Sequence, residues 1–302
     1  MPLTEITPTP SSADAAPAQA LVNRIVTDVR RQPDDESPRL SQALLGEAAA
    51  VLEQPAQWAR VRLERDGCTG WVHARALHPC GPGEAEAYRQ ACNALVSTEL
   101  LPAFHHLAPL IPGGAQAGKV GTGEAGKLPF GVSLPVVDQQ DLWSAVRLPG
   151  GAQWWVSNIL LPIGSRPAPD APGIAFTLEL MKRCVGIPFL PGGRTPFGFD
   201  DAGFAQALWG FVGVDIPRYT PEQFKAGQPV ETEPHPGDLV FFGEPEGQGG
   251  RSISHVAIAL GGDDLIHANR HTWSVAIHSL NESSSLYHAW LCNHLVGVRR
   301  FA

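Results

Sequence analysis

What the chain lacks narrows it first. No stretch approaches the roughly 20 apolar residues of a membrane-spanning helix. Basic residues are in the minority, with 22 Lys and Arg against 30 Asp and Glu, and the formal net charge is −8. A chain without a basic field has nothing to hold a polyanion, so nucleic acid is not an expected partner. Cysteine is sparse and odd in number: Cys68, Cys80, Cys92, Cys184 and Cys292. No two of them sit at metal-ligand spacing, and they read as isolated buried thiols in a reducing compartment. Residues 1–19 have no Lys or Arg and no apolar core. They read as a flexible tail rich in Pro, Ala, Ser and Thr, not as a signal peptide. A cytoplasmic protein is the expectation, unless an export signal was trimmed.

What is present points to a folded protein of several small parts. Of the 302 residues, 43% are hydrophobic and 17% charged, which fits a core-bearing chain. The 28 prolines and 32 glycines imply many turns and short strands. A length of this order carries a prior of about two domains, with three small ones allowed.

The first half contains an internal repeat. Residues 58–77, WARVRLERDGCTGWVHARAL, and 143–161, WSAVRLPGGAQWWVSNILL, both open Trp-x-x-Val-Arg-Leu and return on Trp-Val. Alternation at period two marks each arm as a half-buried strand, and Asp66-Gly67 and Pro149-Gly150-Gly151 mark the turns. An apolar pair precedes each hairpin, Val51-Leu52 and Val136-Val137. The spacing predicts two small β-barrels, over 20–80 and 105–165. The helix formers of 82–101 predict a helical linker over 81–104. His105-His106 reads as a solvated loop pair. Of Trp154-Trp155, one ring is expected in the core and one exposed, because neighbouring strand side chains point oppositely.

The second half begins after a proline-rich joint, RPAPDAPG at 166–173, with a helix expected over 174–189. In PGGRTPFGFDDAGFAQALWGFVGV, Phe204, Leu208 and Phe211 share one face of a helix beginning near Asp200. Strands are expected in PGDLVFF (236–242), ISHVAIALGG (253–262), LIHA (265–268) and SVAIHSL (274–280). Helices followed by antiparallel strands make an α+β pattern. His271, His278, His288 and His294 carry no motif context and read as structural. Arg299-Arg300 reads as a solvated terminal charge run, and the segment 243–253 is a loop able to cover a cleft.

With these pieces in order, residues 166–302 resemble the NlpC/P60 family of papain-like cell-wall cysteine peptidases. The residues that carry the resemblance are Gly192-Gly193-Arg194, FGFDDAGF (197–204), IPRYTPEQF (216–224), PGDLVFF, SHVAIAL (254–260) and IHA (266–268). The two hairpin units resemble bacterial SH3 domains. The whole layout is similar to γ-D-glutamyl-L-diamino-acid endopeptidases that trim murein peptides during recycling. The resemblance implies a cysteine nucleophile at a helix start, a histidine beside it and a third polar residue orienting the imidazole. By motif position these fall on Asp201, His255 and His267. An aspartate therefore stands where such relatives carry the thiol, and a carboxylate is a far weaker nucleophile toward an amide. Aspartate at a helix start is electrostatically mild, worth about 0.3–1 kcal/mol in favour.

The resemblance also implies substrate-binding roles. Asp200 would meet the peptide's free amine. Ala202 stands where a serine would hold the glutamyl carboxylate, and Thr220 retains a second hydroxyl. Pro191 replaces a tryptophan common in the family. From the first barrel, Glu64, Asp66 and Tyr88 are candidates to line the cleft. Asp201, His255 and His267 form a two-histidine, one-carboxylate set on paper, but the family geometry puts the outer two on opposite sides of the middle ring, so neither metal nor cofactor is expected. Three functions stand side by side: a degenerate peptidase that binds murein-derived peptides without cleaving them, a hydrolase in which Asp201 activates water, and a scaffold binding an unknown protein partner.

Overall fold

The computed structural model describes residues 18–109, 119–245 and 251–302. The expected tail therefore lies outside the described residues up to position 17, as does 246–250 of the loop at 243–253; Ala18 and Gln19 are already paired in a strand.

The first β unit consists of β1 (Ala18–Val22), β2 (Val26–Arg30), β3 (Arg39–Leu44), β4 (Ala48–Glu53), β5 (Trp58–Leu63), β6 (Thr69–His73) and β7 (Leu77–Pro79). They form one sheet in the order β3-β2-β6-β5-β4-β1-β7. The predicted hairpin is β5–β6, with Trp58 opposite His73. Its turn closes through Gly67 in the left-handed region (φ +70°), where a side chain would be strained. Val29, Ala43, Ala49, Val61, Leu63 and Val72 form its core.

The linker departs from the prediction. Helix α1 covers only Glu84–Ala91. The chain then becomes strand, β8 (Ala94–Val96) and β9 (Leu100–Pro109). Leu95 and Val96 are wholly buried, and β8 pairs with strands far along the chain, so tertiary pairing overrides the helical propensity of the segment. The second β unit thus begins near 94 rather than 105. It continues through β10 (Lys119–Pro129), β11 (Ser133–Leu134), β12 (Val136–Gln140), β13 (Trp143–Arg147), β14 (Gln153–Ser157) and β15 (Leu160–Pro162). One sheet runs β10-β9-β14-β13-β12 and a second β11-β8-β15. The predicted hairpin is β13–β14, with Trp143 opposite Ser157. Trp154 and Trp155 are both half-buried, not one in and one out, and His105-His106 is an exposed pair in β9, not in a loop.

The third unit holds α2 (Ala171–Lys182), β16 (Arg194–Thr195), β17 (Gly198–Phe199), α3 (Asp201–Phe211), α4 (Thr220–Ala226), β18 (Gln228–Val230), β19 (Leu239–Pro245), β20 (Arg251–Gly261), β21 (Asp264–Asn269), β22 (Ser274–Ser279), α5 (Ala289–His294) and β23 (Leu295–Arg300). Helix α2 ends earlier than predicted, leaving Cys184 in the following turn. The sheet order is β18-β23-β19-β20-β21-β22, so the last strand returns to the middle of the sheet. Arg299 and Arg300 are consequently not a solvated run. Arg300 donates to both oxygens of buried Asp238 (2.8 and 2.6 Å), and the Arg299 guanidinium lies 3.6 Å over the Phe224 ring.

Helix α3 packs on this sheet. Phe204, Leu208 and Phe211 are buried against Phe241, Val256, Ile258 and Ile266. Burying each such side chain contributes about 1.5–3 kcal/mol. Nearly every residue of α3 is buried, so it is a central helix whose start can be held rigidly.

Candidate functional site

The site is built where α3 begins. Asp200 is extended (φ −91°, ψ 174°) and caps the helix, its Oδ1 accepting from Gly203 N at 2.7 Å. Its Oδ2 accepts from Gly192 N at 2.9 Å. Arg218, 2% exposed, grips the same carboxylate with Nη1 at 3.1 Å and Nη2 at 2.6 Å. Each oxygen of Asp200 thus serves two donors. The structure uses Asp200 for capping and ion pairing, and the free-amine role expected of it has no unoccupied oxygen to work with.

Asp201 is the first residue of α3 and faces the sheet. Its Oδ2 accepts from Val256 N at 3.1 Å and lies 3.0 Å from His255 Nδ1. Burial alone would raise its pKa. The hydrogen bond and charge of His255, with the amides of Ala202 and Val256, outweigh that and hold it below the usual carboxylate range.

The histidine side of the site is longer than expected. His255, His267 and His278 stand on the adjacent strands β20, β21 and β22. His255 Nε2 lies 2.6 Å from His267 Nδ1, and His267 Nε2 lies 2.9 Å from His278 Nδ1. Desolvation, reinforced by the neighbouring imidazoles, pushes His267 well below its ordinary pKa and His278 down to about 4. Both rings are therefore neutral near pH 7. A neutral His267 has one ring proton for two neighbours, His255 on its Nδ1 side and His278 on its Nε2 side, while His255 meets Asp201 with its other nitrogen. His278, which has no motif context and reads from sequence as structural, is part of this line. The strand register that brings it there, with Leu265 opposite His278, is not visible in a linear reading.

A cavity of about 280 Å³ opens beside Asp201, His255 and His267. Its remaining walls are Phe189, Glu244, Ser254, Asn269, Arg270, His271, Trp290 and Leu291. The sequence singles out none of these as a site residue: Ser254 lies inside the SHVAIAL motif without a role of its own, Trp290 and Leu291 come from α5, and Phe189, Glu244, Asn269, Arg270 and His271 come from strand ends and loops without a motif. Asp200, Ala202 and Thr220 do not line it. Ala202 is buried, with its carbonyl accepting from Gln223 Nε2 at 3.1 Å, and Thr220 is buried in the first turn of α4. The other candidates, Glu64 and Asp66 of the first β unit and Tyr88 of α1, also lie elsewhere. Glu64 accepts from Gln19, buried Tyr88 donates to the Arg147 carbonyl, and Asp66 accepts from Gln206 on α3 at 3.0 Å.

Asp201 and His267 bond opposite nitrogens of the His255 ring and so do not converge on a common ion position. Among the described residues the cysteines offer no substitute nucleophile beside His255. Cys184 is buried, its thiol pushed up to about 12 by desolvation, and Cys292 donates toward the Leu280 carbonyl. Cys68 and Cys184 are buried as expected of isolated thiols, whereas Cys80, Cys92 and Cys292 are only half-buried.

Residues 186–296 match the NlpC/P60 family, and residues 29–77 match the bacterial dipeptidyl-peptidase Sh3 domain. A γ-D-glutamyl-L-lysine dipeptidyl-peptidase of Bacillus cereus is 26% identical over 253 residues, 80% of this chain and 70% of that one. A γ-D-glutamyl-L-lysine dipeptidyl-peptidase of Bacillus subtilis is 38% identical over 109 residues, 36% of each chain. The solved structure of an NlpC/P60 family protein from Bacillus cereus superposes with a TM-score of 0.73 at 21% identity, over 93% of this chain and 99% of that one. This last likeness is one of fold.

Proposed function

From the premise that the chain carries an NlpC/P60 domain behind a bacterial dipeptidyl-peptidase SH3 domain, and is homologous to γ-D-glutamyl-L-lysine dipeptidyl-peptidases, we propose that it binds murein-derived γ-D-glutamyl-diamino-acid peptides without cleaving them. The second β unit is read in the same proposal as a second SH3-like module, on the strength of its repeated hairpin.

The observation that carries this reading is the Asp201–His255 pair at 3.0 Å. A carboxylate at the start of α3 reproduces the charge of a thiolate but not its nucleophilicity toward an amide. His255 has no free nitrogen left for a substrate, since Asp201 takes Nδ1 and His267 takes Nε2. The adjoining cavity, with its charged and aromatic walls, keeps the features of a binding site. The competing reading, in which Asp201 activates water, draws support from the histidine line. It is weakened by the direction of the Asp201 pKa: a carboxylate held low is a poor base at neutral pH.

Isothermal titration with L-Ala-γ-D-Glu-meso-diaminopimelate is expected to give saturable heat, while mass spectrometry of the mixture shows no fragments after days. Absence of heat would remove peptide binding. Fragments that disappear in Asp201→Ala, or under iodoacetamide, would remove the non-catalytic part.

A further inference from the structure

A second cavity lies at the opposite end of α3 from the Asp201 pair, where the three units meet. It encloses about 410 Å³, a volume typical of small-ligand sites. Its walls come from the β3–β4 turn and Arg65 of the first unit, residues 131–133 of the second, and Gly210 and Asp215 of the third. A further wall is half-buried Arg166, the first residue of the proline-rich joint.

The charges around this cavity are paired except at one point. Glu47 accepts from Arg194 Nη2 at 3.0 Å and from the Leu44 amide at 2.9 Å. Glu64 pairs with Arg89 at 3.5 Å, and Asp215 stands 3.1 Å from Arg65 Nε. Arg166 has no carboxylate at ion-pair distance among the described residues; its guanidinium donates from Nη2 to Ser133 Oγ at 3.3 Å. Its Nε is buried without a hydrogen-bond partner. So is that of Arg65, which meets Asp215 at an angle that makes no hydrogen bond. Burial and the neighbouring Arg65 charge both pull the Arg166 pKa below its ordinary value, as happens to a cation short of counter-charge. Two desolvated guanidiniums with unused donors are costly unless something accepts from them. The Ser133 hydroxyl, accepting from Arg166, keeps a proton of its own to donate.

We propose that this junction cavity binds a small oxyanion, a phosphate or carboxylate group held by Arg166 and Arg65 with the Ser133 hydroxyl donating beside them. Planar guanidinium forks suit such groups. Occupied, the site fastens the joint at 166 to both β units and to the end of α3. It is separate from the cavity beside His255 and does not depend on peptide binding.

The test is thermal unfolding of the full chain in rising sodium phosphate or sodium acetate, with ionic strength held constant by sodium chloride. A ligand of the folded state raises the melting temperature once its concentration passes the dissociation constant, so the onset of the rise reads affinity. Phosphate is expected to give such a rise. A rise with phosphate alone assigns the site to phosphate groups, and a rise with acetate as well extends it to carboxylates. Arg166→Gln is expected to move the onset to about 10-fold higher concentration or more, as loss of a charged hydrogen-bond partner implies. Arg166→Lys, which keeps the charge without the fork, is expected to fall between and supplies the answer should the glutamine variant fold poorly. General exclusion of phosphate from protein surfaces stabilises all three proteins alike, so only the difference between them counts. No rise with either anion beyond that in chloride, or the same onset in all three proteins, would overturn the proposal.

Discussion

Asp200 and Asp201 are neighbours in sequence with different electrostatic partners. Asp200 depends on Arg218, whose side chain is 2% exposed. Removing that guanidinium strands a largely buried carboxylate, so Arg218→Ala is expected to lower unfolding free energy by about 3–5 kcal/mol in urea titrations. The double variant Arg218→Ala/Asp200→Asn should recover part of the loss, since the two residues form one network. An additive result would mean that the pair is uncoupled. His278 supports a second prediction, on acid stability. Its pKa is pushed down to about 4 by desolvation and by His288 and His271, against about 6.5 in an unfolded chain. The unfolded state then binds more protons below pH 6.5, so stability is full above that pH and declines as pH falls toward 4. His267, also held low, adds to the same window, whereas Asp201, a depressed carboxylate, loses its contribution only below the ordinary carboxylate range. The melting temperature at pH 5 should fall below that at pH 7.5, and by less in His278→Asn. An equal drop in both proteins would show that His278 does not carry the effect.

At the scale of elements, α3 is the piece that makes the site. Its start is pressed against the Gly192-Gly193 turn so closely that a methyl group on Gly203 would overlap the Gly193 carbonyl oxygen and crowd Asp200 Oδ1. Gly203→Ala is accordingly expected to cost about 1–3 kcal/mol, the usual range for overpacking. The same change should shift the His255 ring resonances, because Asp201 moves with the helix start. A variant as stable as the parent, with unshifted His255, would contradict the close approach. This helix was legible in the chain, since an aspartate cap and apolar residues at i, i+4 and i+7 are local signals. Strand β23 was not. Nothing local distinguishes LVGVRR as an inner strand; its place between β18 and β19 depends on partners roughly 55–70 residues away.

At the scale of the molecule, the first β unit braces the site from behind. Arg194, 4% exposed, donates from Nη1 to the Gln42 carbonyl at 2.6 Å and from Nη2 to Glu47 at 3.0 Å. Arg39 donates to the Pro191 carbonyl, Arg218 to Ser41, and Gln206 on α3 to Asp66. These bonds join β3 and the neighbouring turns to the segment that sets the start of α3. Truncating Arg194 leaves Glu47 short of a buried partner. Arg194→Ala is expected to cost about 3–5 kcal/mol and to separate, in calorimetric scans, a first-unit transition from that of the third unit. A single unshifted transition would show that the brace is energetically idle.

The order of residues by itself determined the helix start at Asp200, the hairpins around 66–67 and 149–151, the run of strands after 236, and the Asp201–His255–His267 constellation. Capping, turn chemistry and hydrophobic period act over a few residues, and motif spacing carried the rest. Only the tertiary structure decided that Asp200 belongs to Arg218, that His278 extends the imidazole line, and that Glu244 and Arg270 line the cavity beside His255. It also turned 94–96 into a strand. Each of these depends on which strands pair and in what register, and pairing is set by burial against distant partners, which no local window contains.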